Sequence, residues 1–178
     1  MTDVASLDEM RKTPEYQAQL AQLGNREWRL DNLYWIKNEE GIAIPFRRNE
    51  PQRDYSRREW FRDCILKSRK LGFSTFIAIE MLDGSVFSSN QVGGIIDRTL
   101  DDAKAKLSMV KFAYERMPES LRMANPLVVD NQEELKWQNG SSIVAGTSYR
   151  GDTPQRLWIS EYGPIAAKNP LMAKEIKT

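Results

Sequence analysis

The run Lys67-Ser68-Arg69-Lys70-Leu71-Gly72-Phe73-Ser74-Thr75 sets three cations, one glycine and a closing pair of hydroxyls between two apolar stretches. These types at this spacing suit an anion. A tight turn exposes backbone N–H groups, and a helix N-terminus adds partial positive charge, so a phosphate is the natural ligand. Laid over the phosphate-loop pattern of glycine, four residues and Gly-Lys-Ser/Thr, Gly72 and Ser74 fall on the expected glycine and hydroxyl. Lys67 stands where the first glycine belongs and Phe73 where the lysine belongs. The cation must then come from the front of the turn, from Lys67, Arg69 or Lys70. Alone, the run reads equally well as a basic surface turn.

A second cluster closes the chemistry. Arg156-Leu157-Trp158-Ile159 is a short apolar strand, and Ser160-Glu161 follows at its C-terminal end. Ligands of open α/β sheets bind at that end of the strands. A carboxylate there can orient an attacking water, while Ser160 occupies the place where a metal-holding acid often stands. Magnesium would then lean on Ser74, water and phosphate oxygens, which its preference for retained waters permits. Arg150-Gly151 precedes Glu161 by 11 residues. An arginine on that loop could reach a terminal phosphate in its own subunit or a neighbour's. Gln52 lies 15 residues before Lys67, and its amide can pair with both edges of an adenine. Each has a plain alternative: a loop glutamine, a strand-end carboxylate, a salt-bridged arginine.

Composition removes competing chemistries. Without a histidine, Ser-His-Asp and Cys-His catalysis and histidine metal sites are excluded. The single cysteine, Cys64, allows no intrachain disulfide or zinc cluster and suits a reducing compartment. Its apolar surroundings place it in the core. A net charge of +1 provides no global basic field for nucleic acid. Met1-Thr2-Asp3-Val4-Ala5 does not read as a signal peptide, and no apolar run approaches membrane-spanning length.

The elements that must position these groups follow from pattern. A polar helix is expected over Leu7–Leu23, stopped by Gly24-Asn25. Strands are expected at 32–36 and 42–46, and a charged helix from Tyr55 to Phe61. Arg62–Leu66 reads as a buried strand feeding the loop, and the helix after it as ending at a polar break, Gly84–Asn90. Residues 91–97 read as a strand. Thr99 with Asp102 resembles a capping box, opening a helix whose stripe is Leu100, Ala103, Leu107, Val110, Tyr114 and Met117 before Pro118. Leu127–Val129 is a further strand, and Asn139-Gly140 marks a hairpin between 134–138 and 141–147. Strand, loop, helix, strand, helix implies parallel strands with right-handed crossovers.

The order of these features carries a resemblance: glutamine, phosphate loop, Arg-Gly, strand ending in glutamate. From Leu33 to Pro170 the chain resembles the large terminase subunit of tailed bacteriophages, chiefly in Phe46–Gln52, Ile65–Thr75, Thr99–Ala103, and Gly140–Ile143 through Ser160-Glu161-Tyr162-Gly163. The resemblance implies an α/β, three-layer fold like that of phosphate-loop NTPases, of the class with an extra strand between the phosphate loop and the acidic strand. Helices would cover both faces of a mainly parallel sheet, with an N-terminal appendage over residues 1–46 and the ATPase core over 47–178. It implies ATP and magnesium as cofactors, Lys67 as the phosphate lysine with Arg69 and Lys70 in support, and Gln52 against adenine. Ser74 and Glu161 serve the metal, Glu161 activates water, and Arg150 is similar to the arginine some terminases supply across a ring. The implied partners are double-stranded DNA, a portal protein, a small terminase subunit and further copies of the chain, in the host cytoplasm. Only 17 residues follow Glu161, which leads to the expectation of an N-terminal ATPase portion without the nuclease domain. A helicase-type translocase of the same class and an inert nucleotide-fold scaffold are the alternatives.

Overall fold

The computed structural model describes Glu9 and residues 11–66, 70–149 and 153–168. Helix α1 (Pro14–Gly24) starts at Thr13, whose hydroxyl accepts the Tyr16 N–H, and ends where Asn25 caps α2 (Arg26–Asn32). Strands β1 (Trp35–Lys37) and β2 (Ala43–Pro45) pair antiparallel. Helix α3 (Glu50–Arg58) precedes α4 (Phe73–Phe87). Then come β3 (Val92–Ile96), α5 (Leu100–Glu115), α6 (Glu119–Ala124), β4 (Leu127–Asp130), β5 (Glu134–Trp137), β6 (Ser142–Gly146), β7 (Arg156–Ile159) and α7 (Tyr162–Lys168).

The chain is an α/β protein with a five-stranded mixed sheet in the order β4-β5-β6-β3-β7. β3 runs parallel to both β6 and β7, while β4, β5 and β6 form an antiparallel meander. The β5–β6 turn is the expected Asn139-Gly140, with Gly140 at φ +84°, a conformation that favours glycine.

Both helices that pack on the sheet use the same face. Gly93 faces Met81 of α4, and Ile95 and Trp158 lie on that side of the pleat, where Lys106 of α5 sits over the Trp158 ring. Trp137, next to Tyr114 of α5, belongs to the same face. The expectation of helices on both faces is therefore corrected for α4 and α5. Their other side is covered by the β1–β2 hairpin and α2, an arrangement that buries α4 on nearly every side.

Arg62–Leu66 departs most from the sequence reading. It is not a strand; Cys64 is exposed rather than core, and Leu66 is 98% exposed. Strand propensity needs a ladder partner and an apolar face to rest on, and no described strand pairs with this segment. The turn before it has its own anchor: the Asp63 carboxylate accepts from the Trp60 N–H at 2.8 Å and from the Tyr55 hydroxyl at 3.2 Å. The preceding helix also starts earlier than expected, because Asn49 with Gln52 makes a capping box and Pro51 fits the first turn. Helix α4, conversely, runs through Gly84, where a Cβ would lie 2.7 Å from the Arg156 Nε. Glycine here admits an arginine from β7 rather than breaking the helix.

Buried charge ties these layers together. Arg29 of α2 donates twice to Asp83 of α4, both at 2.7 Å, and the Tyr34 hydroxyl donates to the same carboxylate at 2.7 Å. Arg26 pairs with Glu80 and Glu59, and Arg156 approaches Glu80 at 3.6 Å. Arg48 is buried against Asp31 and Glu27.

Candidate functional site

Helix α4 begins at Gly72, in the left-handed region at φ +68°, with no side chain capping it. The N–H groups of its first turn lack intrahelical acceptors, so they are presented to whatever lies in front of them. Beside it lies an open, shallow cleft of about 300 Å³, lined by Ile36, Ile44, Pro45, Phe46, Arg47, Asn49, Gln52, Gly72 and Thr75. One wall is the β1–β2 hairpin, whose Ile36 and Ile44 are direct cross-strand partners.

The sequence-predicted residues divide cleanly. Gln52, Gly72 and Thr75 are brought to the cleft from two segments, and Leu71 bonds to Gln52 beside it. Ser74 is half-buried in the first turn of α4, and Lys70 is exposed, with φ +65°. The Phe73 side chain turns the other way and packs edge-on against Tyr55 and Phe76. What Phe73 can offer a ligand is its backbone N–H. Lys67, Ser68, Arg69 and Arg150 lie outside the described residues, so the meeting of Lys67 with Glu161 does too.

Glu161 follows β7 by two positions, is exposed, and adopts φ +56°. A non-glycine residue in that region carries strain that surrounding structure must hold. It does not line the cleft. Only residues 88–91 connect α4 to β3.

Sequence reasoning missed two contributors. Asp97 follows β3 and is 3% exposed, paired with Lys106; its own N–H donates to Gly146, and Ser160 N–H donates to Ile96 in the adjacent strand at 2.9 Å. A buried carboxylate is thus level with Ser160 at the C-terminal edge of the parallel strands. The signal was an aspartate closing an apolar strand. The other is Asn49, whose amide donates to the Leu71 carbonyl at 3.2 Å. Among the described residues no three of His, Cys, Asp or Glu gather as a metal cluster. No helix among them is long and apolar enough to cross a membrane. No protein-family model matches the chain, and no curated protein matches it either.

Proposed function

We propose that the chain is the ATPase portion of a viral DNA-packaging motor, the large terminase subunit of a tailed bacteriophage. The observation that carries this reading is the cleft: residues separated by 20 positions or more, Gln52 with Gly72 and Thr75, meet under an uncapped helix N-terminus. An apolar wall for a base beside free amides for phosphates suits a nucleotide. A phosphate-loop NTPase core, rather than some other α/β sheet, is part of the proposal, as is action in the host cytoplasm.

The residues present fit ATP and magnesium. The first-turn amides of α4 and Lys67, Arg69 and Lys70 hold phosphate oxygens, and Ser74 gives its hydroxyl to the metal. Magnesium would lean on Ser74, water and phosphate oxygens, since it keeps several waters. Bound magnesium supplies charge neutralisation on the phosphates. Glu161 orients the attacking water, and Arg150, from this subunit or its ring neighbour, faces the charge that develops in transfer. The turnover so powered drives double-stranded DNA through a portal, with the small subunit as a further partner. A helicase of the same class is the nearer rival.

One observation favours the inert scaffold as a second reading: Phe73, at the position of the usual lysine, is built into the core. Equilibrium ATP binding by the wild-type chain and by Lys67→Ala separates the readings. Magnesium-dependent binding weakened by the substitution is the expected result; no binding by wild type overturns the motor in favour of the scaffold.

A further inference from the structure

Amide chemistry and the resemblance both assign Gln52 to adenine, but its surroundings in the fold indicate different work. Its side-chain Oε1 accepts the Asn49 N–H at 3.0 Å, and its Nε2 donates to the Leu71 carbonyl at 3.2 Å. Asn49 Nδ2 donates to the same carbonyl at 3.2 Å. A carbonyl has two acceptor positions, and both are filled by these two amides. Gln52 itself is 3% exposed, leaving one N–H and one lone pair on a nearly inaccessible group.

The carbonyl they grip belongs to the residue between two left-handed ones, Lys70 at φ +65° and Gly72 at φ +68°. Gly72 fits only because it lacks a Cβ, which would lie 2.9 Å from Gln52 Nε2. With Leu71 held, the plane of the following peptide is fixed, and with it the direction of the first amides of α4. Asn49 and Gln52 are tied to each other in turn by the capping box of α3. Each amide therefore fixes the other.

We infer that Asn49 and Gln52 are positioning residues for the phosphate side of the cleft, and that Gln52 does not read the base. The inference rests on the nucleotide reading above and refines it. Selection of the base then falls to the apolar hairpin wall, which distinguishes purines by fit rather than by hydrogen bonds.

Two substitutions test this with the shape of α3 retained. Gln52→Met keeps the buried volume without an N–H. Asn49→Ser keeps an oxygen to cap α3 but cannot donate to Leu71. The ligands are ATP and inorganic tripolyphosphate, which has phosphates and no base, each measured by calorimetry with magnesium. Loss of the Leu71 hydrogen bond predicts that Asn49→Ser binds ATP and tripolyphosphate roughly 5- to 10-fold more weakly, and that Gln52→Met, which also loses the bond from the Asn49 N–H, binds both at least as much more weakly, with the same factor for the two ligands within each variant. With ATP bound, hydrogen exchange in the variants should be faster than in wild type at Phe73–Thr75 and unchanged at Met81–Val86. If Gln52→Met weakens ATP alone and Asn49→Ser is silent, the inference is overturned and Gln52 returns to the base. Unchanged affinities for both ligands overturn it as well. A wild-type chain that binds neither ligand overturns the nucleotide reading, and the inference with it.

Discussion

The two ends of α4 are held by opposite means. At Glu80, Asp83 and Gly84 the helix is locked by charge: Arg29, Arg26 and Arg156 converge from α2 and β7, and the Tyr34 hydroxyl completes Asp83. At Gly72, among the described residues, neutral amides hold it, Asn49 and Gln52 on one carbonyl, and no side chain caps its first turn. The difference follows from electrostatics. A carboxylate cap at the N-terminus would satisfy the free N–H groups and stabilise the helix. It would also repel an anion from the place the helix dipole prepares. Charge can serve as glue where no ligand comes, and neutral donors must serve where one does.

The largest expected effect tests the charged end. Asp83→Ala leaves Arg29 and the Tyr34 hydroxyl buried without their acceptor, and breaking such a buried pair costs about 3–5 kcal/mol. Urea denaturation should show that loss. ATP affinity of the folded fraction should stay within about twofold, because the effect sits at the far end of the helix; the additivity of separated sites underlies that expectation. A matching drop in affinity would show that the two ends are coupled and dissolve the contrast. Gly72→Ala tests the other end. The left-handed backbone costs a Cβ about 1–2 kcal/mol, and the same Cβ must displace Gln52 Nε2. Here stability should fall less than in Asp83→Ala and ATP affinity far more, by an order of magnitude or greater.

How much of this was legible in the chain depends on range. The α5 stripe apart from the exposed Leu100, the Asn139-Gly140 hairpin, the β3 and β7 strands and the Thr99 cap were readable, because periodicity, turn chemistry and capping are local. Of the candidate site, Gln52, Gly72 and Thr75 were singled out and line one cleft. Its wall was not, since nothing in Ile36 or Ile44 separates a core hairpin from a ligand-facing one. Nor was Asn49, whose role depends on a carbonyl 22 positions away. Cys64-Ile65-Leu66 misled because strand propensity is a statement about neighbours that sequence does not name. Gly84 misled for a related reason: its partner Arg156 lies 72 positions downstream and is invisible as a space requirement.

Glu161 extends the comparison to a third place, with a smaller effect of reversed sign. Its φ of +56° is sustained at a cost to the fold, and replacing it by glycine removes a strain of about 1 kcal/mol. Glu161→Gly should therefore raise the thermal midpoint slightly while abolishing the magnesium-dependent ATP turnover that the proposed function assigns to it. A variant both less stable and still active would show that the carboxylate serves the scaffold.

The smallest effect is a matter of pH, and it separates the buried acids from each other. Burial pushes Glu80 above the usual glutamate range, although Arg26 and Arg156 oppose it; its Oε1 has no partner among the described residues. Burial also pushes Asp31 upward, but hydrogen bonds and charge from Arg48 outweigh it and bring Asp31 below its ordinary value. The signs follow from proton counting. Folded Glu80 holds its proton more tightly than unfolded Glu80, so its contribution is present at acid pH and is lost as pH rises through its folded value. Folded Asp31 holds its proton less tightly, so its contribution is present above the ordinary aspartate range, about 4, and is lost as pH falls below it. Relative to wild type, Glu80→Gln should flatten the stability profile above the ordinary glutamate range, and Asp31→Asn should flatten it on the acid side. Denaturant midpoints taken across mildly acidic pH check both slopes. If Glu80→Gln instead steepens the loss with rising pH, the arginines own that carboxylate completely, and the charged end of α4 carries no strained acid at all.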